Sequence, residues 1–186
     1  MTPTELWAQG LSILAMSMNI LSYQQKKERR VIACQLFGAL LFSVSFFLLG
    51  GYAGALLNLV GIVRAVVFLY KERLRATHFG WLLGFSLVYA LSYVLTFTVF
   101  KKPATLPHLL VELLPVVAMV ITTVSFRLNA KMIRRLGLIN SPLWLIYNVV
   151  TFSIGGILCE AFSLVSIGVG MWRHDRKEKK NETTVA

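Results

Sequence analysis

The chain has 186 residues, 56% of them hydrophobic and 15% charged, and its mean hydropathy is +0.69. Soluble domains carry roughly a quarter charged residues, so the composition excludes an ordinary soluble globular domain. The net charge of +11 would suggest nucleic acid in a soluble protein. Here the basic residues sit between apolar blocks, where topology explains them and no nucleic-acid partner is needed.

The apolar residues fall into blocks about 20 long, the length that crosses a bilayer core at 1.5 Å per residue. Seven spans are predicted. The first covers Glu5–Tyr23 and is stopped by Gln24–Arg30. Its start lacks the basic, cleavable pattern of a secretory signal, so it reads as a permanent helix. Spans two and three, Val31–Leu49 and Ala53–Tyr70, meet at Gly50-Gly51. Span four, Phe79–Phe100, is rich in aromatics. Spans five to seven cover Pro107–Phe126, Leu136–Ser153 and Ile157–Trp172, and a polar tail over 173–186 is expected to be disordered and cytoplasmic. Residues 1–172 thus form one transmembrane domain.

Sixteen of the nineteen Lys and Arg residues fall on one side of this arrangement, two (Lys101, Lys102) on the other, and Arg64 within a span. The asymmetry predicts a periplasmic N-terminus and a cytoplasmic C-terminus. Aligning Ser22-Tyr23 with Ser125-Phe126 superposes the basic loops and pairs Gly50-Gly51 with Gly155-Gly156. The same alignment pairs Asn58 with Ser163 and Arg64 with Val169. Residues 5–70 and 107–172 then form two three-helix units of the same orientation, joined by 79–100. The two glycine pairs are expected to mark matching external hairpins.

This 3+1+3 parallel arrangement resembles the SWEET and PQ-loop transporters. The whole chain is more similar to the YgjV-type family of bacterial inner-membrane proteins. The residues that carry this are G-A-L-L-F-S-V-S-F-F-L-L-G-G-Y-A-G-A-L-L-N-L-V-G-I-V-R from Gly38 and N-S-P-L-W-L-I-Y-N…S-I-G-G from Asn140. The family likeness implies the inner membrane and carries no activity with it. The architectural likeness implies a substrate-binding role for Asn58 and a hinge role for Pro142. The second span has no proline to match Pro142, so the symmetric proline hinge is missing.

Polar residues at depth are the candidate site. Asn58 and Asn148 lie about 8–9 Å from the outer ends of their helices. They are either an interhelical hydrogen bond or, with Trp144, a ligand site. Arg64 lies about 10 Å from the cytoplasmic end, level with Asn140–Pro142 and too far from Glu112 for direct contact. It either snorkels, binds carbonyls freed around Pro142, or awaits an anion. Glu160 is read as a carboxylate favoured by a helix N-terminus. Gly50, Gly51, Gly155, Gly156 and Pro142 are the candidate hinge positions. Cys34 and Cys159 are expected to be inert buried thiols, and no catalytic, cofactor or metal motif is present. The function expected is a small carrier or facilitator of a polar or anionic metabolite. The alternative is a non-transporting membrane protein: a receptor, a lipid-binding protein or a subunit of a complex. Homo-oligomerisation stays open.

Overall fold

The computed structural model describes residues 2–23, 28–128 and 130–172; the tail from 173 lies outside them. These residues form helices α1 (Pro3–Tyr23), α2 (Glu28–Leu48), α3 (Tyr52–Leu69), α4 (Phe79–Thr98), α5 (Leu106–Ser125), α6 (Ala130–Val150) and α7 (Ile154–Gly170). Each predicted span contains one helix. The main difference is α6, which starts six residues before its expected span, because Lys131, Arg134 and Arg135 join the helix rather than the loop. Helices α3, α4 and α5 are each long and apolar enough to cross a membrane, and α2 and α7 carry shorter apolar stretches, Ala33–Leu48 and Ile154–Val169.

The polarity of the bundle is inverted relative to a soluble protein. Trp7, Phe37 and Leu87 are more than 60% exposed, whereas Glu112, Thr96, Thr123 and Ser153 are fully buried. Water would penalise that outer face, but lipid does not. Hydroxyls within the helices turn back on their own backbones: Thr96 Oγ1 donates to Ser92 O at 3.0 Å and Thr122 Oγ1 to Ala118 O at 2.9 Å. Such bonds satisfy the hydroxyl without a partner helix.

Helices α1, α2, α3, α5, α6 and α7 follow one another around a ring, closed by α7 against α1, and α4 packs outside it against α3 and α5. Residue n of the first half corresponds to n + 102 of the second: Glu28 to Ala130 and Tyr52 to Ile154 at helix starts. The connecting turns repeat bond for bond. Gly51 N donates to Phe46 O at 2.8 Å, and Ser153 N to Asn148 O at 2.9 Å; Gly50 N donates to Phe47 O at 3.2 Å, and Phe152 N to Val149 O at 3.1 Å.

This register corrects the glycine alignment by three residues. Gly50 supplies the left-handed residue of the first turn (φ 72°), but in the second turn that position is held by Phe152 (φ 56°). A side chain in this conformation costs about 1–2 kcal/mol, which the surrounding bonds must offset. Gly155 and Gly156 lie in the first turn of α7, where close packing rather than chain reversal requires them. A Cβ on Gly155 would lie 2.2 Å from the Ser12 carbonyl of α1, and one on Gly156 1.8 Å from Asn148 Oδ1. In the corrected register Asn58 corresponds to Glu160, and Arg64 to Ser166.

We predict that Gly155→Ala lowers the thermal midpoint in detergent, since overpacking against backbone costs about 1–3 kcal/mol. Gly84→Ala on α4, where an added Cβ meets nothing within 4 Å, should leave the midpoint equal or higher. Equal midpoints for the two variants would contradict the α1–α7 contact.

Candidate functional site

Helices α3 and α7 both start without a side-chain cap of their own. Their first N–H groups are therefore orphans inside an apolar bundle, where each unsatisfied group costs several kcal/mol. Partners arrive from the opposite half of the chain. Gln9 Oε1 of α1 accepts from Ile154 N at 2.9 Å, and Ser12 Oγ accepts from Gly155 N at 3.1 Å. Glu112 Oε2 of α5 accepts from Ala53 N at 3.1 Å, and Tyr147 OH of α6 accepts from Gly54 N at 3.0 Å.

The carbonyls of the two left-handed residues are met in the same crossed way. Gln9 Nε2 donates to Phe152 O, and Lys102 Nζ donates to Gly50 O at 2.7 Å. Lys102 also pairs with Glu112, and Tyr147 OH donates to Glu112 Oε2 at 3.1 Å. Thus one neutral amide, Gln9, performs for α7 what the ion pair Glu112–Lys102 performs for α3.

Beyond these joints, within the ring, lies a cavity of about 360 Å³ lined from α1, α2, α3, α5, α6 and α7 but not α4. Asn58, Arg64, Trp144 and Asn148 all line it, as does Gly156; Gly50, Gly51, Gly155 and Pro142 do not. Asn58 and Asn148 do not bond each other. Each amide donates to the carbonyl four residues back in its own helix, Asn58 Nδ2 to Gly54 O at 2.9 Å and Asn148 Nδ2 to Trp144 O at 2.8 Å. One of the two N–H groups of each is thereby committed, and Asn148 Oδ1 is buried with no partner. Trp144 stacks on Phe46 at 6.2 Å and meets Tyr147 edge-on at 6.0 Å, which fixes it as a wall of the cavity.

Arg64 does not snorkel. It is 8% exposed and turns sideways to α5 rather than towards Pro142. Its Nη1 is shared among Met119 O and Sδ at 3.2 Å, Tyr89 OH at 3.4 Å and Thr123 Oγ1 at 3.5 Å, and its carbon lies 5.3 Å from the Phe126 ring centroid. These distances sit at or beyond the usual limit of a good N–H···O bond, and none of the partners is an anion. Nε is buried with no hydrogen bond.

Glu160 also lines the cavity, half-buried, with its carboxyl group against the Ser141 hydroxyl. It stands six residues into α7, past the first turn, which holds no acidic residue. The helix-terminus explanation therefore does not account for it. The sequence signals for what was missed are faint. Gln9 and Ser12 are polar residues three apart in an apolar run, and Glu112 and Lys102 are charges near the helix ends that carry the joints. Among the described residues, no group of three His, Cys, Asp or Glu could hold a metal ion.

A helical bundle with an apolar rim and a polar, charged interior defines an integral membrane protein. The chain belongs to the Imp-YgjV family of bacterial inner membrane proteins, which matches residues 6–178. It is 26% identical over 179 residues to Inner membrane protein YgjV of Escherichia coli (strain K12), covering 95% of this chain and 90% of that one. No solved structure matches it.

Breaking a buried ion pair by removing one partner costs about 3–5 kcal/mol. Glu112→Ala should approach that loss, because it strands Lys102 and the Ala53 N–H together. Lys102→Met paired with Glu112→Gln removes both charges, and should recover a large part of it. Thermal unfolding in detergent checks this; a double variant as unstable as Glu112→Ala would contradict it.

Proposed function

We propose that this protein is a small secondary carrier or facilitator of a polar metabolite across the bacterial inner membrane. In this reading seven transmembrane helices form two parallel three-helix units, α1–α3 and α5–α7, with α4 as the linker. The n + 102 register, the closed six-helix ring and the reciprocal caps support that arrangement. The charge asymmetry supports a periplasmic N-terminus and a cytoplasmic C-terminus. It follows that the reciprocal caps lie on the periplasmic side.

The observation that carries the proposal is the cavity itself. It lies between the two units, where parallel-repeat carriers bind, and its about 360 Å³ is within the range of small-molecule sites. A buried charge without a counter-charge is costly, and Arg64 lines this wall with no anionic partner among the described residues. A ligand would supply one. The competing reading is a receptor, a lipid-binding protein or a subunit of a complex. One feature favours it: α6 contains Pro142 while α2 contains no proline, so a symmetric hinge is lacking.

A thermal-shift screen of purified protein against a metabolite library, followed by flux in proteoliposomes, separates these readings. A ligand at about 100 times its Kd adds roughly 2.7 kcal/mol, a shift of several degrees for a chain of this size. We expect Arg64→Gln to abolish that shift while remaining folded. Arg64→Lys should restore it only in part, because lysine lacks the planar fork. A full response in Arg64→Gln would remove the arginine from the site, and stabilisation without flux would favour the receptor.

Orientation has its own test. A fluorescent reporter fused after Ala186 should be bright in the cytoplasm, and a reporter active only in the periplasm should be silent there. The opposite pattern would overturn the seven-span topology.

A further inference from the structure

Two ionisable side chains of opposite sign, Arg64 and Glu160, line the cavity. Arg64 lies on the α3–α5 wall and Glu160 on the α6–α7 wall. A chain of contacts places both in one layer. Glu160 meets Ser141, whose neighbour Asn140 has its Oδ1 3.0 Å from Thr122 Oγ1. Thr122 adjoins Thr123, which is 3.5 Å from Arg64 Nη1. No ion pair joins Arg64 to Glu160, although each lines the same space.

The free donors and acceptors around the two charges differ in kind. On the arginine side, Nη1 is held by α5 and Tyr89 and Nε is buried, which leaves Nη2 as the guanidinium nitrogen for a carboxylate. On the other side, each asparagine has committed one of its two N–H groups to its own helix. Asn58 Oδ1 and the Glu160 carboxylate remain as acceptors at the cavity. An ammonium carries three N–H donors and no acceptor. A simple anion would satisfy Arg64 but leave the Glu160 carboxylate without a cationic partner.

We infer that the cavity binds a small zwitterion, with its carboxylate on Nη2 of Arg64 and its primary ammonium between Glu160 and Asn58. This rests on the ligand-binding reading of the cavity and narrows it from polar or anionic metabolites to amino-carboxylates. Each charge of the ligand neutralises a charge of the wall. In a low-dielectric interior that mutual pairing is what makes two buried ions tolerable. Selectivity follows from the same geometry: a ligand lacking either charge leaves one wall ion unpaired.

The test uses the full-length protein in detergent and three matched series: the standard α-amino acids with β-alanine and γ-aminobutyrate, the corresponding carboxylates without the amine, and the corresponding amines without the carboxylate. By equilibrium binding, at least one zwitterion should bind at least tenfold more tightly than both of its singly charged counterparts. Glu160→Gln should weaken that zwitterion tenfold or more and leave the affinity of the amine-free carboxylate unchanged. The wild-type comparison stands alone should the variant fail to fold. Carboxylates that bind as tightly as zwitterions would overturn the inference and leave a ligand cavity for anions. Failure of every series to bind would overturn it as well. Zwitterion binding without flux in proteoliposomes would uphold it and end the carrier reading.

Discussion

The fold depends on a borrowed cap. Helices α3 and α7 each begin just after a tight turn, at Gly51 and Ser153, with no side chain of their own on the first N–H groups. Lipid offers no water to cover those groups. Gln9 and Ser12 of α1 serve α7, while Glu112 of α5 and Tyr147 of α6 serve α3. Because each half caps the other, neither α3 nor α7 is satisfied without the opposite three helices. The same requirement explains the small residues there. Gly51, Gly54, Gly155 and Gly156 leave room for the capping groups and for α1 to approach.

Tying the bundle at the capped end sets the geometry of the rest. Tyr147 joins both features: its hydroxyl links Gly54 N to Glu112, and its ring packs on Phe46 and Trp144. Trp144 in turn walls the cavity. Away from the joint the inner faces of α3 and α7 diverge in chemistry rather than in backbone. Asn58 on one helix stands where Glu160 stands on the other, and Arg64 where Ser166 does. The frame repeats, and the charges within it do not.

Much of the frame was legible in the sequence because the bilayer imposes it. Span length, basic connections and the Gly50-Gly51 turn all follow from composition and position, and one helix lies in each predicted run. The candidate residues Asn58, Arg64, Trp144 and Asn148 stood out as polar or amphipathic groups at depth, and they line one cavity. What sequence reasoning misplaced has a common cause. Gly155-Gly156 looks like Gly50-Gly51, yet the turn it resembles is made by Phe152, a residue with no turn signature. The three-residue slip then hid the correspondence of Asn58 with Glu160. Of the three readings of Arg64, two had it reach along the helix axis, to the cytoplasmic surface or to Pro142, and the third had it await an anion. Only the packing of α5 and Tyr89 beside α3 reveals that it turns sideways.

The two joints also differ in a way that bears on how the bundle could move. Gln9 meets a donor and an acceptor of the second turn with one uncharged amide. At the first turn the Gly50 carbonyl and the Ala53 N–H are met by separate residues, Lys102 and Glu112, held to each other by charge. An amide keeps both functions on one rigid group and needs no neighbour. An ion pair works only while both members are charged and in place, and its loss strands whichever member remains. Glu112 is fully buried, while Lys102 keeps partial access to the outside at 16% exposure. Separating α7 from α1 would break bonds between neutral groups only. Separating α3 from α5 would break bonds to a carboxylate and an ammonium, which are the stronger kind, so the energetic barrier is higher at α3 than at α7.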